Sequence, residues 1–195
     1  MTILGMIRHG VTDWNMTGRL QGQTDVPLNE EGKRQARALA KYLERQPIRW
    51  DVIYSSNLQR AIMTADLISE VLNLGEVRID ERLKERGFGL AEGLTLAERH
   101  ERFGEDISAI EGVEPEHHIL QRGHDFLRDL LRNEKGRNVL IVSHGAFLKR
   151  VFGLLVSGLP DLYIDNASIT IFEQSEDGWR VRLHNGKAEQ TGISE

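Results

Sequence analysis

Short β-branched runs alternate with longer stretches of helical period along this 195-residue chain, and that alternation limits its fold more than any other feature. Thr2 to Ile7, Asp51-Val52-Ile53-Tyr54 and Asn138-Val139-Leu140-Ile141-Val142 are short, mostly apolar runs, as expected of strands buried on both faces. Between them, residues 30–45 place Ala36, Leu39, Ala40 and Leu43 at helical spacing, with Asn29 as cap and Glu30 and Glu31 in the first turn. Leu58, Ala61, Ile62, Ala65, Ile68 and Leu72 repeat the pattern before Gly75, and Ser56-Asn57-Leu58-Gln59 reads as a capping box. Val77 to Ile79 is a short third strand, and 116–134 and 145–156 are further helices. Ser168 to Glu173 and Trp179 to Leu183 flank Glu176-Asp177-Gly178 as a hairpin. Alternating strands and helices imply an α/β sandwich around a mostly parallel sheet, and the hairpin puts one antiparallel strand at an edge. Residues 86–115 are charged and weakly periodic. They read as a lid-like insertion, so 1–195 is taken as one domain carrying it.

Composition excludes several function classes. Cysteine is absent, which removes disulfides, thiol nucleophiles and cysteine-ligated zinc and fits a reducing compartment. The N-terminus lacks a signal-peptide pattern and no apolar run is long enough to cross a bilayer, so the expectation is a cytoplasmic protein without membrane partners. A formal net charge of −5 argues against a broad nucleic-acid surface. It does not exclude a small anionic substrate, because beyond a Debye length of ~8 Å a local arginine cluster outweighs the global charge.

Ligands of open α/β sheets sit beyond the carboxyl ends of the strands. Three groups fall at such ends: Arg8-His9-Gly10 after the first strand, Arg60 in the helix after the second, and Ser143-His144-Gly145 after the core strand. Two histidines and two arginines thus converge on one edge. A phosphate monoester is dianionic near neutral pH and repels an anionic nucleophile, whereas a neutral imidazole can attack it to give a phosphohistidine. Guanidinium groups offer planar bidentate donors that balance the charge on the transferring group without a metal. Adjacent strand residues point to opposite faces, so Arg8 and His9 reach one phosphate only if the backbone turns, a turn that Gly10 eases. Glu85, in Leu83-Lys84-Glu85-Arg86-Gly87, is the candidate proton donor for the leaving alcohol.

The run Arg8-His9-Gly10-Val11-Thr12-Asp13-Trp14-Asn15, followed by Gly18-Arg19-Leu20-Gln21-Gly22 and Asp25-Val26-Pro27-Leu28-Asn29, resembles the opening of the histidine phosphatase superfamily in its phosphoglycerate mutase-like branch. Tyr54 to Ala61, Glu85 to Gly93, Val142-Ser143-His144-Gly145 and Asn166-Ala167-Ser168-Ile169 continue the likeness in order. The resemblance implies a three-layer α/β/α sandwich, with His9 as nucleophile, Glu85 as proton donor and Arg8, Arg60 and His144 as the phosphate pocket. It further implies a polar contact from Asn15, with Gln21 and the backbone of Gly145 nearby. Arg19 is a second candidate substrate contact from the same loop. No cofactor or metal is implied.

Within that family, mutases carry a longer insertion after the glutamate motif and an Asn after the second His-Gly. This chain is short there and has Ala146, which favours a phosphatase acting on a small phosphorylated metabolite. A phosphoglycerate mutase is the alternative, with a non-catalytic phospho-ligand binding protein as a rival of another class. A metal-dependent hydrolase is a third option. His117-His118 lacks metal-ligand spacing and reads as an exposed helix start. Which ester is the substrate, and whether the chain forms a homodimer, stay open at this level.

Overall fold

The computed structural model describes residues 2–159 and 163–188; Met1, 160–162 and 189–195, although within the expected domain limits, lie outside it. Six strands form one sheet: β1 (Ile3–Arg8), β2 (Val52–Ser55), β3 (Arg78–Ile79), β4 (Asn138–Ser143), β5 (Ile169–Ser175) and β6 (Gly178–Gly186). Their order is β3-β2-β4-β1-β5-β6. The first four are mutually parallel, and β5 runs against β1, with β6 returning outside it as the second arm of the expected hairpin.

Side chains alternate between two apolar layers, as the period of a strand requires. Leu4, Met6, Val139, Ile141 and Phe172 meet Phe126 and Leu130 of α5 (Glu116–Asn133) and Phe147 and Val151 of α6 (Gly145–Leu155). Ile7, Leu140, Val142 and Ile169 meet Leu39 and Leu43 of α2 (Glu30–Glu44) and Ala65 and Ile68 of α3 (Gln59–Leu72) on the opposite face. Helices on both faces make the three-layer sandwich, and burial on both faces accounts for strands without polar alternation. Among the described residues no helix is long and apolar enough to cross a membrane.

Asn29 caps α2 as expected, its side chain accepting from the Gly32 N–H. The capping box expected at Ser56 does not form. Ser56 Oγ lies 2.6 Å from His144 Nε2 and also accepts from Leu58 N, so its hydroxyl belongs to the site. The start of α3 is served instead by Asp25, whose carboxylate accepts the Gln59 N–H at 2.7 Å from 34 residues away. A short helix α1 (Asp13–Met16), closed by a Thr12–Asn15 capping box, was not legible in the periodicity.

The segment 86–115 folds as 3-10 turns around α4 (Leu96–Phe103). It has a small apolar cluster of its own, in which Phe88, Ala91 and Ile110 are buried against Leu20 and Ala146.

Candidate active site

Each parallel strand delivers one part of the site beyond its carboxyl end. His9 follows β1, Ser56 and Arg60 follow β2, Glu85 follows β3 and a 3-10 turn, and His144 follows β4. Because β1 and β4 are neighbours in register, with Arg8 opposite Ser143, the two imidazoles lie side by side at 5.1 Å between ring centroids.

Gly10 does its work by its lack of a side chain. Its φ is not positive; a Cβ there would stand 2.5 Å from the Gly32 carbonyl oxygen, and one on Gly32 would stand 2.1 Å from that of Val11. The first turn of α2 therefore packs directly on the backbone that carries the nucleophile candidate. The expected role of Gly10 in easing a turn is thus replaced by close approach.

His9 Nδ1 lies 2.7 Å from the Gly10 carbonyl oxygen, which can only accept. That bond places the proton on Nδ1 and leaves the lone pair of Nε2 available. Burial, with Arg60 and then Arg8 nearby, holds the His9 pKa well below its ordinary 6.5, so the ring is neutral near pH 7. His144 is lowered in the same direction, by burial first and then Arg60. Its Nδ1 accepts from Arg60 Nε at 3.3 Å, which assigns its proton to Nε2, facing Ser56 Oγ.

Arg60 is fully buried. Its guanidinium donates to the carbonyls of Thr24 (2.8 Å) and Gly22 (2.6 Å) as well as to His144, and burial draws its pKa down to about 10, still cationic at neutral pH. Arg8 donates through Nη1 to Ile164 O, and its Cζ lies 4.9 Å from the centroid of the Tyr163 ring. Arg8 Nε is buried and has no acceptor among the described residues. Gly145, at the start of α6, approaches this group so closely that a Cβ would be 3.4 Å from Arg8 Nε.

A cavity of about 310 Å³ brings together Arg8, His9, Asn15, Arg19, Gln21, Arg60 and Glu85. His144 and Gly145 do not line it; they stand behind Arg60 and Arg8. Asn15 Oδ1 accepts from Thr12 N and Asn166 Nδ2, so its amide nitrogen remains the donor toward the cavity. Gln21 accepts from Thr12 Oγ1. Arg19 is at the mouth, donating to Gly93 O and to Glu98 at 3.0 Å. The Glu85 carboxylate accepts the N–H groups of Arg86 (2.9 Å), Phe147 (2.9 Å) and Ala146 (3.2 Å), so it rests on the first turn of α6.

Several site residues escape a reading of the sequence. Glu92 accepts from Gln23 N, Phe88 N, Thr24 N and Thr24 Oγ1, clipping the insertion to the loop whose carbonyls hold Arg60. Arg122 of α5 donates to the carbonyls of Arg82, Lys84 and Glu85 and pairs with Glu114. Asn166 donates to His9 O. Most of their partners are remote in sequence, so no local pattern marks these bonds, although Glu92 and Asn166 lie within the quoted motifs. Among the described residues no group of three or more His, Asp or Glu side chains is placed to hold a metal ion.

Residues 4–187 match the family model of the histidine phosphatase superfamily, branch 1. The chain belongs to that superfamily. As a histidine phosphatase it is similar to an uncharacterized phosphatase, PhoE, of Bacillus subtilis, with 36% identity over 99% of each chain. It is also 32% identical to a metal-independent phosphoserine phosphatase of Arabidopsis thaliana, over 93% of this chain and 80% of that one. Among solved structures, a mycobacterial glucosyl-3-phosphoglycerate phosphatase superposes with a TM-score of 0.84 at 32% identity, covering 95% of this chain and 99% of the other. The expected phosphatase-type enzyme on a mostly parallel α/β sheet is thus in place.

Proposed function

We propose that this histidine phosphatase hydrolyses small phosphate monoesters in two steps through a phosphohistidine on His9, without a metal. The observation that carries the reading is the pairing of a neutral His9, its proton tied to Gly10 O, with two buried arginines at the floor of one cavity.

In the first step the lone pair of His9 Nε2 attacks phosphorus while the ester oxygen departs in line, taking a proton from the Glu85 carboxyl. The Arg8 and Arg60 guanidinium groups stabilise the equatorial oxygens, which is where charge is held in phosphoryl transfer. Two guanidinium charges offset the dianion, so the residues need no further cation. His144 acts through Arg60, whose Nε it accepts, and is neutral beside His9, so it adds no competing charge. In the second step water attacks the phosphohistidine, gives its proton to Glu85, and phosphate leaves as the P–N bond breaks. Asn15 and Gln21 orient the ester, and 86–115 covers it as a lid on a single domain.

The relatives named for phosphoserine and glucosyl-3-phosphoglycerate support a small phosphorylated metabolite as substrate. The test is phosphate release from p-nitrophenyl phosphate by wild type and His9→Ala in a chelator. Loss of about 10⁴-fold in kcat with the fold intact is expected, the usual scale for deleting a covalent nucleophile. Equal turnover by the two proteins removes His9 from the mechanism.

A further inference from the structure

Donor and acceptor polarity beside His9 is set by a side chain that does not line the cavity. Asn166, in the turn before β5, places its Nδ2 3.0 Å from His9 O and 3.4 Å from Gly10 O. Both are backbone carbonyls, which only accept, so the nitrogen of this amide and not its oxygen faces them. The same Nδ2 lies 3.3 Å from Asn15 Oδ1 and draws that oxygen toward it. The Thr12 N–H holds the oxygen at 3.1 Å from the start of α1. Asn15 Nδ2 is left for the cavity that Asn15 lines, bonded to nothing among the described residues and not closed off from solvent. A phosphate dianion carries only acceptor oxygens, so a donor is what this wall must offer. With the amide reversed, the same side chain would set an oxygen against the dianion.

The turn that carries Asn166 is fastened to the end of β1. Ala167 has a φ of 51°, a left-handed conformation uncommon for a residue with a Cβ. There its N–H donates to Arg8 O (3.0 Å) and His9 O (3.2 Å), and Ser168 O accepts the Arg8 N–H at 3.1 Å. Strain of this kind persists only where surrounding bonds hold it, and here those bonds are made to the backbone of His9 and its neighbour.

We infer that Asn166 is a positioning residue that acts through Asn15, turning its amide so that the NH₂ meets the phosphoryl oxygens. Because the same side chain bonds His9 O, it ties that donor to the backbone carrying the nucleophile. One residue thereby holds attacking group and donor in a common frame, and such placement is most of what a protein contributes to phosphoryl transfer.

This inference rests on the phosphatase reading, and the experiment separates the two. Phosphate release from p-nitrophenyl phosphate is measured for wild type, Asn166→Ala, Asn15→Ala and the double variant, each checked for fold by circular dichroism. Asn166→Ala is expected to lower kcat/KM about tenfold in the wild-type background. In the Asn15→Ala background, where no amide is left to orient, the same change should cost less than about twofold. An Asn166 that merely braces the turn would cost the same in both backgrounds, and that outcome overturns the inference, as does a wild-type rate in folded Asn166→Ala. A second measurement reads the orientation directly with Asn166→Asp, which keeps the shape and turns the donor into an acceptor. In proton–nitrogen correlation spectra the Asn15 NH₂ pair, assigned by its loss in Asn15→Ala, should shift when wild type is saturated with inorganic phosphate and hold its place in saturated Asn166→Asp. Equal shifts in the two proteins overturn the positioning role while leaving the phosphatase reading standing. No release by wild type overturns the phosphatase reading and the positioning role with it.

Discussion

The floor and the roof of the cavity are held in different ways. His9 and Arg60 sit at the ends of regular elements, their polar atoms bonded to backbone carbonyls and to each other's neighbours in full burial. Arg19, Glu98 and Arg99 sit on a loop and an eight-residue helix, half-exposed, above a cluster in which only Phe88 and Ile110 are large buried side chains. At ~1.5–3 kcal/mol for each such side chain, that cluster contributes a few kcal/mol, so carboxylate clips from Glu92 and Glu114 hold much of the roof. On the proposed mechanism the chemistry falls to the fully buried part and contact with the rest of the ester to the half-exposed part. The contrast predicts where substitutions will hurt rate and where they will only change preference.

The sharpest way to break the contrast is at the floor. Arg60→Lys keeps the charge but loses the fork that spans Thr24 O, Gly22 O and His144. A fall of about 10²–10³ in kcat/KM toward p-nitrophenyl phosphate is expected, the scale of losing one transition-state donor. Steady-state kinetics check it, and a loss under fivefold would mean that the floor tolerates a point charge.

Glu92 joins the two regions, and Glu92→Gln tests whether the roof transmits order to the floor. The amide offers one acceptor oxygen to four N–H and O–H donors and sets its own NH₂ against them. Loosening the Gly22–Thr24 carbonyls by even an ångström should lower kcat/KM about 10- to 100-fold. Soluble, folded Glu92→Gln with wild-type rate would show that Arg60 is set by the sheet alone.

The smallest effect concerns the burial of the two imidazoles. Both folded-state pKa values lie below the unfolded 6.5, so the unfolded chain binds more protons below that pH, and stability falls as pH drops through 6.5. Each group should contribute to this loss between pH 7.5 and 5.5. Urea melts of wild type and His144→Gln at pH 7.5 and 5.5 check it. Carboxylates add an acid sensitivity common to both proteins, so the difference between their slopes isolates the histidine. Equal slopes would place the His144 proton affinity near its ordinary value.

How far the sequence foretold this arrangement depended on the reach of each interaction. Apolar runs such as 138–142 and the helical spacing of Leu39 and Leu43 identify their elements because strand and helix periods are local. Arg8, His9, Arg60 and His144 could be gathered on one edge because they stand at strand ends or just beyond them; Glu85, chosen for its chemistry, joins them after β3 and a 3-10 turn. Ser56 misled: its pattern is that of a cap, but the competing partner, His144, lies 88 residues away. Asp25, which replaces it, carries no sign of that duty, and Glu92 and Arg122 bond to segments dozens of residues distant.

The contact between Gly10 and Gly32 has a consequence for anyone seeking a hardier version of this enzyme. Gly32 occupies the first turn of α2, where propensity scales favour alanine by up to about 1 kcal/mol in a helix interior. Glycine-to-alanine exchange in helices is a common route to thermostable variants. At this codon the same exchange would drive a methyl into the Val11 carbonyl. A stabilisation campaign guided by helix statistics would therefore choose, as one of its safest edits, the substitution that presses on the backbone two residues beyond His9.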